Sequence, residues 1–151
     1  MLINIKWHLL FLAVFLLSIL IACGNGDGDQ RSWTDEHGFG PVDEPMETGE
    51  LSTELASEGR TIFYTYCTAC HAMESSISGP ALRQVPANRT PEFIMNYILN
   101  PTENRENHPI GQQLGEQYTM IMVDMGLDRD QARAIYEYLR YYNEHGEDPP
   151  S

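Results

Sequence analysis

Cys67-Thr68-Ala69-Cys70-His71 is the run of this chain whose residue types and spacing could do chemistry. Two cysteines three positions apart, followed at once by a histidine, form the C-x-x-C-H pattern of a c-type haem attachment site. Each cysteine sulfur can form a thioether bond to one haem vinyl group, and the histidine can reach the iron as an axial ligand. Two other chemistries share part of this pattern. A thioredoxin-like dithiol wants a βαβ setting, and no such pattern is visible here. A zinc site wants four ligands, and there is no second cysteine pair to complete one. The motif therefore implies one covalent haem c. It asks the rest of the chain for a second iron ligand, a core that buries the ring and an export signal.

A soft thioether is a suitable second ligand, and it raises the reduction potential. Met120, Met122 and Met125 stand just before the last expected helix, while Met46, Met73 and Met95 are less well placed. His108 precedes Pro109 in what reads as a loop and is expected at the surface rather than on the iron. His37 and His145 are assigned no role. Arg83 and Arg89 follow the turn Gly79-Pro80-Ala81-Leu82; either could pair with a haem propionate or stand as an exposed loop cation.

Three helices are expected to position these residues. The first spans about Thr53 to Tyr66, with Ser52 or Thr53 as its cap and Glu54 in the first turn, where the helix dipole favours it. Leu55, Gly59, Ile62, Phe63 and Tyr66 fall on one face. Glycine inside a helix costs about 1 kcal/mol against alanine, so Gly59 points to a close backbone approach. The second helix starts at Thr90-Pro91, a cap followed by proline at the first helical position, and stops before Asn100-Pro101. The third starts at Asp128 with Gln131 as capping-box partner, and Ala132, Ile135, Leu139 and Tyr142 make its apolar face. The intervening Gly-, Pro- and Asn-bearing stretches read as loops. No alternating run is long enough for a strand, so the fold class is all-α.

The order of these features resembles a class I cytochrome c. The resemblance rests on Gly59-x-x-x-Phe63-x-x-x-Cys67-x-x-Cys70-His71, on Gly79-Pro80-x-Leu82, and on a methionine before a helix carrying Tyr138-Leu139. It covers nearly all of residues 51–142. It implies three or more helices around one covalently bound haem, with the first and last helices crossing at Gly59, Phe63, Tyr138 and Leu139. It implies that the Pro80 carbonyl accepts the ring N–H of His71 and fixes the imidazole's tautomer and orientation. In the family the ligand methionine commonly stands about five residues before the apolar residue that precedes the last helix. Counting back from Leu127 gives Met122, with Met120 next and Met125 third. Family members often carry proline after that ligand, where this chain has Val123.

The N-terminus supplies the export signal. Lys6 precedes an apolar run from Trp7 to Ala22, too short for the usual ~20-residue membrane span and of the kind found in secretory signals. It ends in Leu20-Ile21-Ala22-Cys23, which resembles the bacterial lipobox. That resemblance implies a signal peptide over 1–22 and a lipidated Cys23 as the first mature residue; an uncleaved membrane helix is the alternative. Multiple acyl chains would anchor the protein stably, exported and facing the periplasm or cell exterior. Residues 23–50 are Gly-, Asp-, Glu- and Pro-rich and read as a flexible acidic tether. Its root-mean-square reach would be roughly 30 Å. Within it, Trp33 to Val42 could dock on the domain. The domain itself is expected over 51–145, with a tail at 146–151.

The formal net charge is −13, and Lys6 is the only lysine. Without the first 22 residues, eight arginines stand against 22 acidic side chains, hence −14. This excludes the cationic surface that nucleic acid requires and suits a redox protein partner with a basic docking patch. The leading expectation is a membrane-tethered single-electron carrier between respiratory donors and a terminal oxidase or periplasmic reductase. The alternative is a haem-based sensor or small-gas-binding protein with a labile sixth ligand. An enzyme such as a peroxidase is disfavoured, because no distal acid-base group is evident.

Overall fold

The computed structural model describes residues 33–150; the signal peptide and lipidated cysteine expected at 1–23 lie outside them. Six helices follow one another: α1 Thr53–Tyr66, α2 Val85–Asn88, α3 Pro91–Leu99, α4 Pro101–Asn107, α5 Pro109–Gln117 and α6 Arg129–His145. Residues 33–37 are also helical. No strand occurs among the described residues, apart from an isolated bridge between His71 and Ser76, so the all-α class holds.

The helix ends follow local chemistry. Ser52 Oγ accepts the Leu55 N–H at the start of α1, and Thr90 Oγ1 accepts the Phe93 N–H at the start of α3. At α6 the Asp128 carboxylate accepts the Gln131 N–H, and the Gln131 side chain accepts the Asp128 N–H, which completes the capping box. Gly146 closes α6 in the left-handed region at φ 75°.

The core is the crossing of α1 and α6. A Cβ built on Gly59 would lie 1.9 Å from the Ala134 carbonyl oxygen. Only a residue without a side chain lets the two backbones approach so closely. Phe63 packs on Tyr138 with ring centroids 5.1 Å apart. Ile135, Tyr138 and Leu139 from α6 join Phe63, Met73, Ile94 and Met95 in one buried cluster.

Several stretches differ from the sequence expectation, the short helix α2 among them. Residues 101–117, read as loop, are α4 and α5. Both are polar and begin with proline at the first helical position, so apolar periodicity gives no sign of them. They pack through Gly111, where a Cβ would lie 1.9 Å from the Asn104 carbonyl oxygen. His108 lies between them and is 1% exposed rather than at the surface. Its Nδ1 accepts the Ile110 N–H at 3.2 Å, and its Nε2 donates to the Asp35 carbonyl at 3.0 Å.

A further difference lies at the two ends of the domain. From Trp33 onward the expected tether is packed. Val42 is fully buried in the main cluster. Asn96 and Asn104, both fully buried, hold this segment. The composition that suggested disorder could not reveal this, because the fastening groups lie more than fifty residues away. The expected tail folds back along α1. Asp148 accepts hydrogen bonds from the Tyr138 and Tyr64 hydroxyls at 2.7 and 2.9 Å, Pro149 is buried, and Arg60 donates to the Pro149 carbonyl.

Candidate haem site

The motif sits on a turn that continues α1. The Cys67 N–H bonds the Phe63 carbonyl at 2.8 Å, and the N–H groups of Cys70 and His71 both bond the Cys67 carbonyl. The spacing i, i+3, i+4 on this turn brings Cys67, Cys70 and His71 to one side. The chain then folds back on itself. Gly79 N–H donates to the Cys70 carbonyl at 2.9 Å, Leu82 N–H to Ala72 at 3.1 Å and Arg83 N–H to Met73 at 3.0 Å. These bonds flank Pro80 and carry its carbonyl to His71, whose Nδ1 donates to it at 2.9 Å. The proton is therefore on Nδ1, and the lone pair on Nε2 is left for another partner. Gly79 lies flat against the imidazole: a Cβ there would be 2.5 Å from His71 Cε1. The ring is packed by the Gly79 backbone and oriented by the Pro80 carbonyl.

Burial, and then the neighbouring Cys70, push the Cys67 thiol up to about 11. A disulfide-exchange dithiol works through a lowered thiol pKa, the opposite of the direction at Cys67. No group of three or more His, Cys, Asp or Glu residues that could hold a metal ion occurs among the described residues.

The methionines separate by burial. Met73 and Met95 are 7% and 0% exposed and fill the core. Met120 and Met125 are 58% and 37% exposed, whereas Met122 between them is half-buried. Their loop begins where α5 is capped by the Tyr118 N–H on the Leu114 carbonyl. It is tied to the motif side by a 3.1 Å bond between the Tyr118 and Ser76 hydroxyls. Ile77, Ile121 and Val123 add further exposed apolar surface.

The remaining candidates have local partners. Arg83 bonds Glu74 at 2.8 Å, and Arg89 lies 5.8 Å over the Phe93 ring. His37 Nδ1 is 2.9 Å from Thr90 Oγ1 and 3.4 Å from Glu92. His145 stacks on Tyr141. His108 uses both ring nitrogens and has none left for a metal.

A family model described as Cytochrome c matches residues 56–143. The chain belongs to the cytochrome c family. Its fold superposes on a cytochrome c from Rhodothermus marinus with a TM-score of 0.67 and 45% identity, over 70% of this chain and 90% of that one. The cytochrome c domain of a Pseudomonas putida protein aligns with a TM-score of 0.51 and 26% identity, over 58% of this chain and 89% of that one. Cytochrome c-551 of Bacillus subtilis is 28% identical over 107 residues, which is 70% of this chain and 81% of the relative. As a cytochrome c domain, this protein carries one covalently bound c-type haem and works as an electron carrier. The residues present fit that group: a cysteine pair on one turn, an imidazole whose Nδ1 is held by the Pro80 carbonyl and whose Nε2 is left for iron, and a glycine that lets the backbone pack against the ring. Cytochrome c domains of this kind are typically exported. No helix among the described residues is long and apolar enough to cross a membrane.

Proposed function

We propose that this cytochrome passes single electrons between a membrane-bound respiratory donor and a terminal oxidase or periplasmic reductase, while anchored to the membrane through a lipidated Cys23. In this reading Cys67 and Cys70 form the thioethers, and His71 and Met122 are the axial ligands. The haem, when bound, supplies the one-electron couple; the chain supplies everything that tunes and presents it. The observation that carries the reading is the 2.9 Å bond from His71 Nδ1 to the Pro80 carbonyl. It holds the imidazole in one tautomer and one orientation and makes Nε2 a better donor to iron. Met122 is favoured over its neighbours because it alone of Met120, Met122 and Met125 is withdrawn from solvent. A protein ligand on each side leaves little to rearrange when the charge changes, which suits electron transfer rather than turnover of a substrate. Export and anchoring rest on the lipobox-like Leu20-Ile21-Ala22-Cys23. The acidic surface suits a partner with a basic docking patch.

The test is spectroscopic. The purified protein should be low-spin and six-coordinate, with the far-red thioether–iron band, and should resist CO and NO. Met122→Ala should abolish that band and open the iron to CO. Persistence of the band in this variant would transfer the role to Met120, which the Met120→Ala variant would then show. Loss of electron transfer to the partner as salt rises would support docking through the acidic face.

A further inference from the structure

The segment between Trp33 and Ser52 is fastened by four successive clamps. The Asn104 side chain accepts the Phe39 N–H at 2.8 Å and donates to the Phe39 carbonyl at 2.6 Å. Three residues on, the Asn96 side chain accepts the Val42 N–H at 2.9 Å and donates to the Val42 carbonyl at 2.8 Å. Each asparagine amide thus stands in for a neighbouring β-strand, giving one backbone residue both a donor and an acceptor. The buried Glu92 then accepts the Met46 N–H at 2.7 Å. Last, the fully buried Glu137 accepts the Ser52 N–H, while Arg133 and Arg140 donate to the Thr48 carbonyl and to Glu137.

The segment is itself shaped for these clamps. A Cβ on Gly38 would lie 2.5 Å from Asn104 Oδ1, and Gly38 has φ +72°. A Cβ on Gly40 would lie 2.3 Å from Asn96 Oδ1. Trp33 Nε1 donates to the Val42 carbonyl, and His108 holds the Asp35 carbonyl, so the fastening extends to the first described residues. Buried amides with both functions satisfied hold strongly, because releasing them would leave unpaired polar groups in the interior.

We infer that residues 33–52 form a structural strap which sets the length of the membrane leash, so that this cytochrome selects redox partners whose docking edge lies close to the bilayer that carries it. The inference rests on the proposed lipidation of Cys23 and deepens that reading. Ten residues separate Cys23 from Trp33, against 28 from Cys23 to Leu51. At ~3.5 Å per fully extended residue the two leashes reach at most about 35 Å and about 98 Å. The strap therefore cuts the greatest distance from the bilayer at which the domain can meet a partner from about 98 Å to about 35 Å. It denies the domain any partner site beyond the short reach.

The test uses the full-length holoprotein in phosphatidylcholine vesicles that carry a small fraction of coumarin-headgroup lipid, whose emission the haem quenches at short range. Three forms are compared: the native chain, a chain with an 18-residue Gly-Ser insertion between Asp29 and Gln30, and Gly38→Ala/Gly40→Ala, which crowds the clamps and leaves α3 and α4 unchanged. Quenching should be strongest for the native chain and fall in both variants. In hydrogen exchange on the same samples, the Phe39 and Val42 amides should be protected in the native and insertion forms, and exposed in the glycine variant. Equal quenching by the native and insertion forms, or unprotected Phe39 and Val42 amides in the native chain, would overturn the inference. The mass of the N-terminal peptide reports lipidation separately. A chain without lipid that still protects both amides would sink the anchoring proposal and the leash with it, leaving the strap as a fastening alone.

Discussion

Residues 67–83 carry His71, and residues 118–127 carry Met122; the two stretches are held in different ways. The first is laced by backbone bonds from Phe63 to Cys67, Cys70 to Gly79, Ala72 to Leu82 and Met73 to Arg83, with Met73 in the core beneath it. The second is secured at its two ends, by the Tyr118 cap and the Asp128 capping box. Between them it carries one internal hydrogen bond among the described residues, from the Gly126 N–H to Asp124. Met120, Ile121 and Val123 are each about half exposed or more. The histidine side draws its order from the fold. The methionine side has few buried contacts and belongs to the low-stability end of the molecule. On the proposed ligation by His71 and Met122, such a carrier would hold one ligand rigidly and leave the other on a segment whose variants should be felt in the spectrum before they are felt in stability.

The comparison can be broken from either side. The largest effect is expected at the helix crossing. Gly59→Val would drive a branched side chain into the Ala134 carbonyl and should cost about 3 kcal/mol or more. The melting temperature of the holoprotein should drop by roughly 12 °C or more; an unchanged value would mean that α1 and α6 do not meet at Gly59. Next is Glu137→Gln, which strips the charge from a fully buried carboxylate served by Arg133, Arg140 and the Ser52 N–H. Breaking a buried ion pair costs roughly 3 kcal/mol, read from the denaturant midpoint, and the far-red band should survive in the folded fraction.

Tyr138→Phe is expected to be milder, about 1–2 kcal/mol for one buried hydroxyl bond, and it tests the pH response. Burial first, and then the bond to Asp148, raise the Tyr138 hydroxyl well above the usual tyrosine range. The Asp148 bond is also the main cause of a rise at Tyr64. A raised pKa in the fold favours the protonated phenol. This contribution is intact below pH ~10 and is lost as pH climbs through the folded-state value. An alkaline series should show the native protein losing stability above pH ~10, and Tyr138→Phe losing less of it. The smallest effects belong to the loop. Met120→Ala and Met125→Ala should each change stability by less than about 0.5 kcal/mol and leave the far-red band in place. A loss of several degrees in melting temperature from either would erase the contrast drawn above.

Much of this was legible in the residues. The caps at Ser52, Thr90 and Asp128 are local signals, and the three main helices start where those side chains can reach the free N–H groups. Gly59 announced a close approach because a glycine there has a cost that only packing repays. His71 and Pro80 were connected through the resemblance to the family, not through spacing. Residues 101–117 were missed because their helices bury a glycine and an asparagine instead of an apolar stripe. The strap was hidden for another reason. Its composition is that of a disordered segment, and its order comes from Asn96, Asn104, Glu92 and Glu137, polar residues on other elements. Nothing in a polar side chain's own neighbourhood tells whether it faces water or holds a distant backbone. Only the structure shows that five consecutive residues of α3, Glu92 to Asn96, are buried, so that this helix is covered on every side.

The contact between Gly59 and Ala134 joins positions 75 residues apart, and Asp148 bonds Tyr64, 84 residues before it, as well as Tyr138. The domain therefore cannot close before α6 and Asp148 are free to pack on α1. Until α6 arrives, Phe63 has no Tyr138 to pack on, and the turn bearing Cys67, Cys70 and His71 continues a helix without its main partner. For a chain threaded through a membrane from its N-terminus, this sets an order of events. On the proposed export, the motif would emerge first on an open polypeptide, accessible to whatever attaches its haem, before the last helix packs on α1.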